Sequence, residues 1–261
     1  MPAPPEPVRI AVTRQVSPAM ERCELTHLNR APIDISRARR QHLAYEQVLR
    51  KLGCRIETLP EEPELPDSVF VEDTAIVLDE LAVITRPGAP SRRPETPSIA
   101  GALARYRKLV RIEAPGTLDG GDVLLVSRTL YVGASSRSNR EGIEQLSALL
   151  HPLGYHVRPA AVHGCLHLKT AVTQVAEHRL LVNPHWIDRN DFSGMQFIEV
   201  DEAEPFGANA VLIGNQVIYP ASHPKTAERL QRHGIRVHFV DMSETEKAEG
   251  SVTCCSLLFS E

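Results

Sequence analysis

The sequence predicts an α/β protein built from five similar units that close into a ring. Two observations carry this prediction: short strand-turn-strand segments recur along the chain, and helical segments leading into a glycine lie between them. Each strand-turn-strand segment opens on a polar residue, and these residues are 49, 47, 40 and 45 positions apart: Asp73, Asp122, Lys169, Asn209 and Cys254. A near-constant step of about 45 residues is typical of repeat architectures.

The strand-turn-strand segments consist of short β-branched or aliphatic runs separated by turn residues. In chain order they are VEDTAIVLDELAVITRP, GGDVLLVSRTLYVGAS, HLKTAVTQVAEHRLLVNP, GANAVLIGNQVIYPAS and SVTCCSLLFS. The N-terminal strand RIAVT is expected to complete the last unit.

The helical segments are rich in Ala, Leu, Arg and Glu, and each leads into a glycine and then a β-branched run. The clear copies end around Gly53, Gly154 and Gly234. Glycine just past a helix end adopts the left-handed conformation at little cost, so it predicts where each helix stops. Two weaker copies are ALARYRKLVRIEA, which has no glycine before its β-branched run, and DFSGMQFIEV around Gly194.

Strand, strand, helix and strand, repeated five times, predict a ring without a free sheet edge. An ordinary open α/β sheet also alternates helices and strands and is the alternative. The polar residue that opens each unit favours the ring, because all five would then point toward one axis and form a small-molecule site. No linker or change of composition divides the chain, so we expect one domain over residues 1–261.

Composition narrows the classes of function. The chain is 42% apolar and 24% charged, which suits a buried core and argues against disorder. With 29 basic and 33 acidic residues and 5% aromatics, it offers no basic surface for nucleic acid. No apolar run is long enough to span a membrane and the first residues do not resemble a signal peptide, so we expect a cytoplasmic protein. Five irregularly spaced cysteines favour free thiols.

Candidate reactive side chains lie in the segments that open the repeats. In TCCS, Cys254 and Cys255 occupy neighbouring positions of a presumed strand, so only one thiol can face the axis. In GCLHLKT, strand alternation would put Leu166 and Leu168 on one face and His167 on the other. Taken alone, a buried cysteine is more often inert packing than a nucleophile, and a lone histidine is usually structural.

Carboxylate side chains are the remaining candidates for a reactive or binding role. Asp119 and Asp122 flank two glycines in an acidic turn, while Glu72 and Asp73 lie on an otherwise apolar strand, with Asp67 upstream. Buried carboxylates need a cationic partner, and a planar guanidinium matches their geometry. A thiolate aimed at the guanidinium carbon, with a neighbouring imidazole to move protons, predicts a C–N hydrolase or transferase.

Five motifs in this order resemble the dimethylarginine dimethylaminohydrolase family of the amidinotransferase and arginine deiminase (pentein) superfamily: LPDSVFVEDTA, ITRPGAPSRR, LDGGDV, LHLKT and TCCS. The resemblance covers nearly the whole chain. It implies the five-bladed α/β propeller of ββαβ units and hydrolysis of Nω,Nω-dimethyl-L-arginine or Nω-monomethyl-L-arginine to L-citrulline plus dimethylamine or methylamine. It implies a small-molecule guanidine amino acid as partner, no metal or cofactor, and a monomer or homodimer.

The resemblance also implies roles for individual residues. Cys254 matches the nucleophile, two positions before Ser256; His167 matches the general acid and base, and Asp119 matches the carboxylate that orients it. Substrate binding is expected at Leu25 in an N-terminal lid loop, at Asp67 and Asp73 for the guanidinium, and at Glu72, the adjoining acid of the same motif. It is also expected at Arg92 and Arg137 for the α-carboxylate, and at Ala248 and Glu249. The last pair replaces the V-D of the family's KVDG.

Two alternatives stay open. Another guanidine-modifying enzyme of the superfamily, such as an arginine deiminase, would use the same reactive groups, although arginine deiminases generally carry an inserted helical domain for which this chain has no room. A non-catalytic ring of the same fold would serve as a binding module, and it would have no need for Cys254, His167 and Asp119 together.

Overall fold

Short strands and helices alternate along the computed structural model, which describes residues 8–261. The strands are β1 (Arg9–Arg14), β2 (Cys54–Leu59), β3 (Ala75–Val77), β4 (Leu81–Ile84), β5 (Lys108–Arg111), β6 (Val123–Val126), β7 (Thr129–Gly133), β8 (His156–Ala160), β9 (Val172–Ala176), β10 (Arg179–Val182), β11 (Gln196–Glu199), β12 (Val211–Ile213), β13 (Gln216–Pro220), β14 (Arg236–Val240) and β15 (Leu257–Ser260). The helices are α1 (Ile35–Lys51), α2 (Thr96–Leu103), α3 (Arg140–Leu150), α4 (Leu168–Ala171), α5 (Pro224–Arg232) and α6 (Ser243–Glu246).

The strands of residues 8–261 form five separate three-stranded sheets, in the orders β15-β1-β2, β3-β4-β5, β6-β7-β8, β9-β10-β11 and β12-β13-β14. In every sheet the first pair is antiparallel and the second pair is parallel. The predicted ββαβ unit is therefore confirmed. So is the completing role of the N-terminal strand, because Arg9 lies opposite both Ser260 and Cys54.

Three helices end where the glycines predict. Gly53, Gly154 and Gly234 follow α1, α3 and α5 with φ angles of +89°, +80° and +78°. A Cβ atom built on any of the three would meet nothing within 4 Å, so backbone conformation rather than crowding explains the glycines.

The two weaker copies behave differently. Helix α2 forms without a terminating glycine and leads into β5, as expected. Between β10 and β11 the predicted helix is wrong: a single 3₁₀ turn, Arg189–Asp191, takes its place before Gly194 at φ +81°. The parallel pairing of β10 with β11 is kept, so the fourth unit makes the same crossover without an α-helix.

Five apolar clusters within residues 8–261 join the sheets into a closed ring. Alternate residues of β1 show how: Ile10 and Val12 pack toward the β3-β4-β5 sheet, whereas Ala11 packs toward the β12-β13-β14 sheet. The remaining clusters link the second sheet to the third, the third to the fourth and the fourth to the fifth. Every sheet thus shares a core with two neighbours, which confirms the predicted α/β propeller over an open sheet.

The first strand of each unit lies nearest the axis. Residues of β3, β6, β9, β12 and β15 together line a cavity of about 290 Å³. Turns, loops and the short helix α4 precede these strands and carry the polar residues that open the units. Between residues 8 and 261, no helix has the length and apolar content needed to cross a bilayer.

Candidate active site

A belt of hydrogen bonds joins the residues that open the five units. Asp73 Oδ1 accepts from the N–H of Gly121 at 2.9 Å, and Asp122 Oδ1 accepts from the N–H of Leu168 at 2.9 Å. Each contact bridges one unit to the next.

The rest of the belt closes the ring. Asn209 Nδ2 donates to the Lys169 carbonyl at 3.1 Å and to Thr253 Oγ1 at 3.0 Å, and the Glu72 N–H donates to the Cys254 carbonyl at 3.1 Å. The predicted convergence of these residues follows from this belt.

Glu72 and Asp73 lie in a 3₁₀ turn, Val71–Thr74, and not on the strand that the apolar pattern predicted. The turn directs the two neighbouring carboxylates to different partners. Asp73 Oδ2 accepts from Arg92 Nη1 at 2.5 Å. Burial alone would raise the pKa of Asp73, but the charges of His167 and Arg92 and the hydrogen bonds to Asp73 lower it to about 2. Asp73 is therefore an anion in the folded protein.

Glu72 faces the axial cavity and pairs with Lys169. The two side chains are 2.5 Å apart, and the second carboxylate oxygen of Glu72 accepts from Thr253 Oγ1 at 2.8 Å. Burial raises the pKa of Glu72, although Lys169 opposes the rise. Thr253 connects this pair to Cys254, and all three residues, Glu72, Lys169 and Thr253, line the axial cavity.

The two glycines between Asp119 and Asp122 are needed for close approach. A Cβ on Gly120 would lie 2.0 Å from the carbonyl oxygen of Glu72, and a Cβ on Gly121 would lie 2.7 Å from both Asp73 Oδ1 and His167 Nδ1. Glycine at both positions lets the acidic turn, the Glu72–Asp73 turn and the imidazole pack together.

His167 immediately precedes the short helix α4, so the predicted strand around it is wrong. Its Nε2 lies 3.0 Å from Asp119 Oδ2, and its Nδ1 lies 3.8 Å from Asp73 Oδ1. Asp119 is completely buried, and its other oxygen accepts from the Gly88 N–H at 2.8 Å. Asp119 therefore fixes the orientation of the imidazole.

Burial would lower the pKa of His167, but the charge of Asp73, the hydrogen bond that the ring donates to Asp119 and the charge of Asp122 outweigh it and raise the pKa to about 9. The imidazole is a cation at neutral pH. It can give a proton to a departing group before it takes one from water.

Cys254 also lies in a turn and not on the predicted strand, because β15 begins three residues later at Leu257. Its side chain is partly exposed, and its Sγ accepts from the Ser251 N–H at 3.4 Å. Cys255 is fully buried, so Cys254 is the accessible member of the pair, as expected. Burial and the charges of Glu72 and Asp73 raise the pKa of Cys254 to about 12.

The two arginines expected to bind the substrate carboxylate differ in availability. Arg92 is buried and already donates to Asp73, to both oxygens of Glu95 and to the carbonyls of Asp67 and Phe70. Its guanidinium is occupied in this structure, so its role toward a substrate stays a prediction.

Arg137 is only partly buried, and its Nη2 donates to Thr26 Oγ1 at 3.1 Å. That hydroxyl lies in an exposed loop and is readily displaced. Of the two arginines, Arg137 is the better placed to bind an incoming carboxylate.

Cys254 lines two cavities. A narrow one of about 20 Å³ is also lined by six of the expected binding residues: Asp67, Asp73, Arg92, Arg137, Ala248 and Glu249.

The second cavity, of about 190 Å³, lies between the lid loop, residues 23–34, and the fourth and fifth units. Leu28, Leu166 and Phe206 are among the residues that line it. Leu166, Glu249, Gly250 and Cys254 belong to both cavities. The charged groups therefore lie on one side of Cys254, and a more apolar space lies on the other.

The lid loop contributes a residue that the sequence did not indicate. Leu25 packs against the cluster that joins the first and fifth sheets, whereas Glu24 lines the narrow cavity. The Glu24 N–H donates to Asp67 Oδ2 at 3.1 Å. A loop residue with no regular pattern around it offers no sequence signal for such a contact.

Asp73, Asp119 and His167 bring ligand atoms within 4.8 Å of one another, a spacing that would suit a metal ion. Their oxygen atoms, however, already accept from Gly88, Gly121 and Arg92. The protein's own donors satisfy these carboxylates, and the expectation that no metal is required stays a prediction.

The chain is similar to known proteins over nearly its whole length. A family model described as "N,N dimethylarginine dimethylhydrolase, eukaryotic" matches residues 6–257. The chain is 41% identical over 261 residues to the N(G),N(G)-dimethylarginine dimethylaminohydrolase of Streptomyces coelicolor, covering 98% of each. It is 40% identical over 228 residues to the protein of that name from Pseudomonas aeruginosa, covering 87% of this chain and 90% of the relative.

A solved structure agrees with these matches. The Pseudomonas aeruginosa protein, as a cysteine-to-serine mutant complexed with citrulline, superposes with a TM-score of 0.92 at 36% identity, covering 96% of this chain and 98% of that one. Because the family model, the sequence identity and the superposition all extend over nearly the entire ring, this chain belongs to the dimethylarginine dimethylaminohydrolase family.

Proposed function

We propose that this protein hydrolyses Nω,Nω-dimethyl-L-arginine and Nω-monomethyl-L-arginine to L-citrulline plus dimethylamine or methylamine. The observation that carries the proposal is the placement of a buried imidazole between two carboxylates, beside a narrow charged cavity that contains an accessible thiol. Family membership supplies the substrate class, and a relative that binds citrulline in its solved structure supports the product.

Opposite charges on the cavity and on the substrate favour binding. The cavity brings together the carboxylates of Asp67 and Asp73, which suit a guanidinium, while Arg137 is available for the α-carboxylate. A guanidinium in this cavity offsets the negative charges that hold Cys254 as a neutral thiol. Its arrival therefore favours loss of the thiol proton to solvent, since His167 is already protonated, and formation of the thiolate.

The chemistry takes two steps. In the first, the Cys254 thiolate forms a bond to the guanidinium carbon, and His167, already protonated, gives its proton to the alkylamine nitrogen as the C–N bond breaks. This leaves an S-alkylthiouronium adduct. In the second, neutral His167 takes one proton from water and the oxygen adds to the same carbon. The C–S bond then breaks, and the remaining hydroxyl proton passes to the Cys254 sulfur as the ureido product is released. Asp119 holds the ring through both steps.

The proposal also covers the cellular location, the oligomeric state and the number of domains. We infer a cytoplasmic protein that is a monomer or a homodimer, with a single domain over residues 1–261. The closed ring of shared apolar clusters supports the single domain.

A product assay tests the proposal. We expect citrulline from both methylated arginines with the wild-type protein, and none with Cys254→Ser. Cys54→Ser is the matched control, because Cys54 is a buried thiol of β2 outside both cavities. Citrulline from arginine alone would reassign the protein to deiminase activity. No citrulline from either methylated arginine or from arginine would favour another modified guanidine as substrate, or a binding role.

A further inference from the structure

Glu249 makes a contact that the reaction does not require. Its carboxylate accepts from three consecutive backbone N–H groups of the lid loop: Thr26 at 3.0 and 3.1 Å, His27 at 2.5 Å and Leu28 at 2.5 Å. The two segments are more than 220 positions apart in the sequence. Three converging backbone N–H groups of the lid thus bind the Glu249 carboxylate in the way that such groups bind an anion.

The backbone of Glu249 is held in a sparsely populated conformation. Its φ angle is +59°, in the left-handed region that favours glycine. Within residues 8–261 two other non-glycine residues have positive φ, Ser127 and His178, and both lie in the two-residue turns between paired strands. Glu249 instead follows α6 in a helix-terminating turn, where the Gly250 N–H donates to the Thr245 carbonyl and the Glu249 N–H donates to the Glu246 carbonyl, both at 3.1 Å. This position favours glycine, and here it carries the side chain that reaches the lid.

The position of Glu249 connects the lid to the reactive thiol. Ala248, Glu249 and Gly250 line the narrow cavity together with Cys254, and Glu249 also lines the wider one beside His27 and Leu28. Gly250 is pressed against Phe70, since a Cβ there would lie 2.2 Å from the ring. The lid is therefore tied to a segment that packs closely against Phe70, another residue that lines the narrow cavity.

A second contact holds the same loop from the other side. Arg137 Nη2 donates to Thr26 Oγ1, but Arg137 is also the arginine available to a substrate carboxylate. Substrate binding would draw Arg137 away from Thr26. The contacts of Glu249 use only lid backbone, so they do not involve the Thr26 hydroxyl that Arg137 would release.

We propose that Glu249 is a positioning residue whose carboxylate fixes lid residues 26–28 over Cys254 and so determines how tightly the substrate is held. The consequence for turnover rests on the proposed function. The structural claim does not, because it concerns the protection of three amides in the protein without substrate.

Hydrogen exchange tests the structural claim directly. In Glu249→Ala we expect the amides of residues 26–28 to exchange about tenfold faster or more than in the wild type, since each loses a bond to a charged acceptor. Glu249→Gln keeps one acceptor oxygen without the charge and should show a smaller increase. Asp188→Ala is the matched control: it removes an exposed carboxylate that accepts from the Asn190 N–H and should leave the lid amides unchanged.

Kinetics with Nω,Nω-dimethyl-L-arginine test the consequence. We expect Glu249→Ala to raise KM about tenfold with a smaller change in kcat, because the reactive groups stay in place while the lid loosens. Glu249→Gln should recover part of the loss. A raised KM with unchanged exchange of the lid amides would overturn the proposal, because Glu249 would then act on the substrate directly.

The outcomes separate this proposal from the proposed function. If the wild type turns over no methylarginine, the proposed function fails, and exchange of the lid amides still decides the role of Glu249. If Glu249→Ala does not fold, Glu249→Gln decides it by the same measurement. Unchanged exchange in a folded variant would overturn the role.

Discussion

At the residue scale, Cys254 rests as a neutral thiol while His167 is protonated, whereas an activated cysteine–histidine pair consists of a thiolate and an imidazolium. Negative charge around Cys254 keeps the thiol neutral, and the same carboxylates keep the imidazole of His167 protonated. A cationic substrate would offset the negative charge around Cys254 and so favour the thiolate. The protonated His167 would supply the proton that the leaving amine needs. We therefore expect the free protein to react slowly with ordinary electrophiles and faster once a guanidinium is bound.

Alkylation of Cys254 by the neutral reagent iodoacetamide should reveal this state. With a pKa of about 12, the labelling rate at pH 7 should be slow and should rise about tenfold per pH unit toward high pH. Mass spectrometry of the peptide that contains Cys254 follows the rate, with Cys254→Ser as the blank. A rate that levels off near pH 8 would contradict the raised pKa.

His167 should also make stability depend on pH. Its folded pKa of about 9 lies above the value of about 6.5 for an unfolded chain, so its stabilising effect is complete below about pH 6.5 and is lost as the pH rises through 9. Between pH 6.5 and 9.5 we expect the wild type to lose about 2–3 kcal/mol more stability than His167→Gln, measured by urea unfolding. Equal losses in the two proteins would show that His167 titrates normally.

The types and order of the reactive residues were predictable from the sequence, but their local conformations were not. Alternation of apolar and polar residues suggested strands around Asp73, His167 and Cys254, yet all three lie in turns or at a helix start. Over three or four residues, a 3₁₀ turn that buries one side produces the same pattern as a strand. The ion pairs of Arg92 and the lid contacts of Glu249 join distant segments and leave no local pattern.

At the scale of elements, glycine serves two different purposes in this chain. After the helices it provides a left-handed residue, which sequence patterns predict well. In the acidic turn it provides room, which only the packed structure reveals.

Substituting Gly120 should therefore be costly. A Cβ 2.0 Å from a backbone oxygen forces the two acidic turns apart, and we expect Gly120→Ala to lower the free energy of unfolding by about 1–3 kcal/mol. Gly101→Ala is the matched control, because a Cβ there meets nothing within 4 Å and Gly101 lies inside α2. That change should instead stabilise the protein by about 0.5–1 kcal/mol. Urea unfolding measures both, and equal effects would refute the crowding argument.

At the scale of the whole molecule, the spacing of the repeats was sufficient to predict the ring. A step of 40 to 49 residues leaves each unit too small to bury its apolar surface alone, so neighbouring units must share cores. The missing helix of the fourth unit was not predictable in the same way. The crossover between β10 and β11 needs only a connection of the right length, and a 3₁₀ turn satisfies it.

Shared cores on both sides of every sheet should make unfolding a single cooperative event. Fluorescence of Trp186, after β10, and far-UV circular dichroism should report the same urea midpoint. In Ile10→Ala, which removes a fully buried side chain of β1 on the far side of the ring, both midpoints should shift together by the equivalent of about 2–4 kcal/mol. A shift in only one signal would show that the units unfold independently.

The belt of hydrogen bonds and the lid differ in how freely they can be altered. Asp73 contacts Gly121, Arg92 and His167 at once, so a change there disturbs three segments that carry the reaction. The lid residues Thr26, His27 and Leu28 are exposed and touch the ring mainly through Glu249 and Arg137. A directed-evolution library confined to residues 26–28 would therefore vary the side chains near Cys254 for new guanidine substrates, because Glu249 holds these residues by their backbone N–H groups.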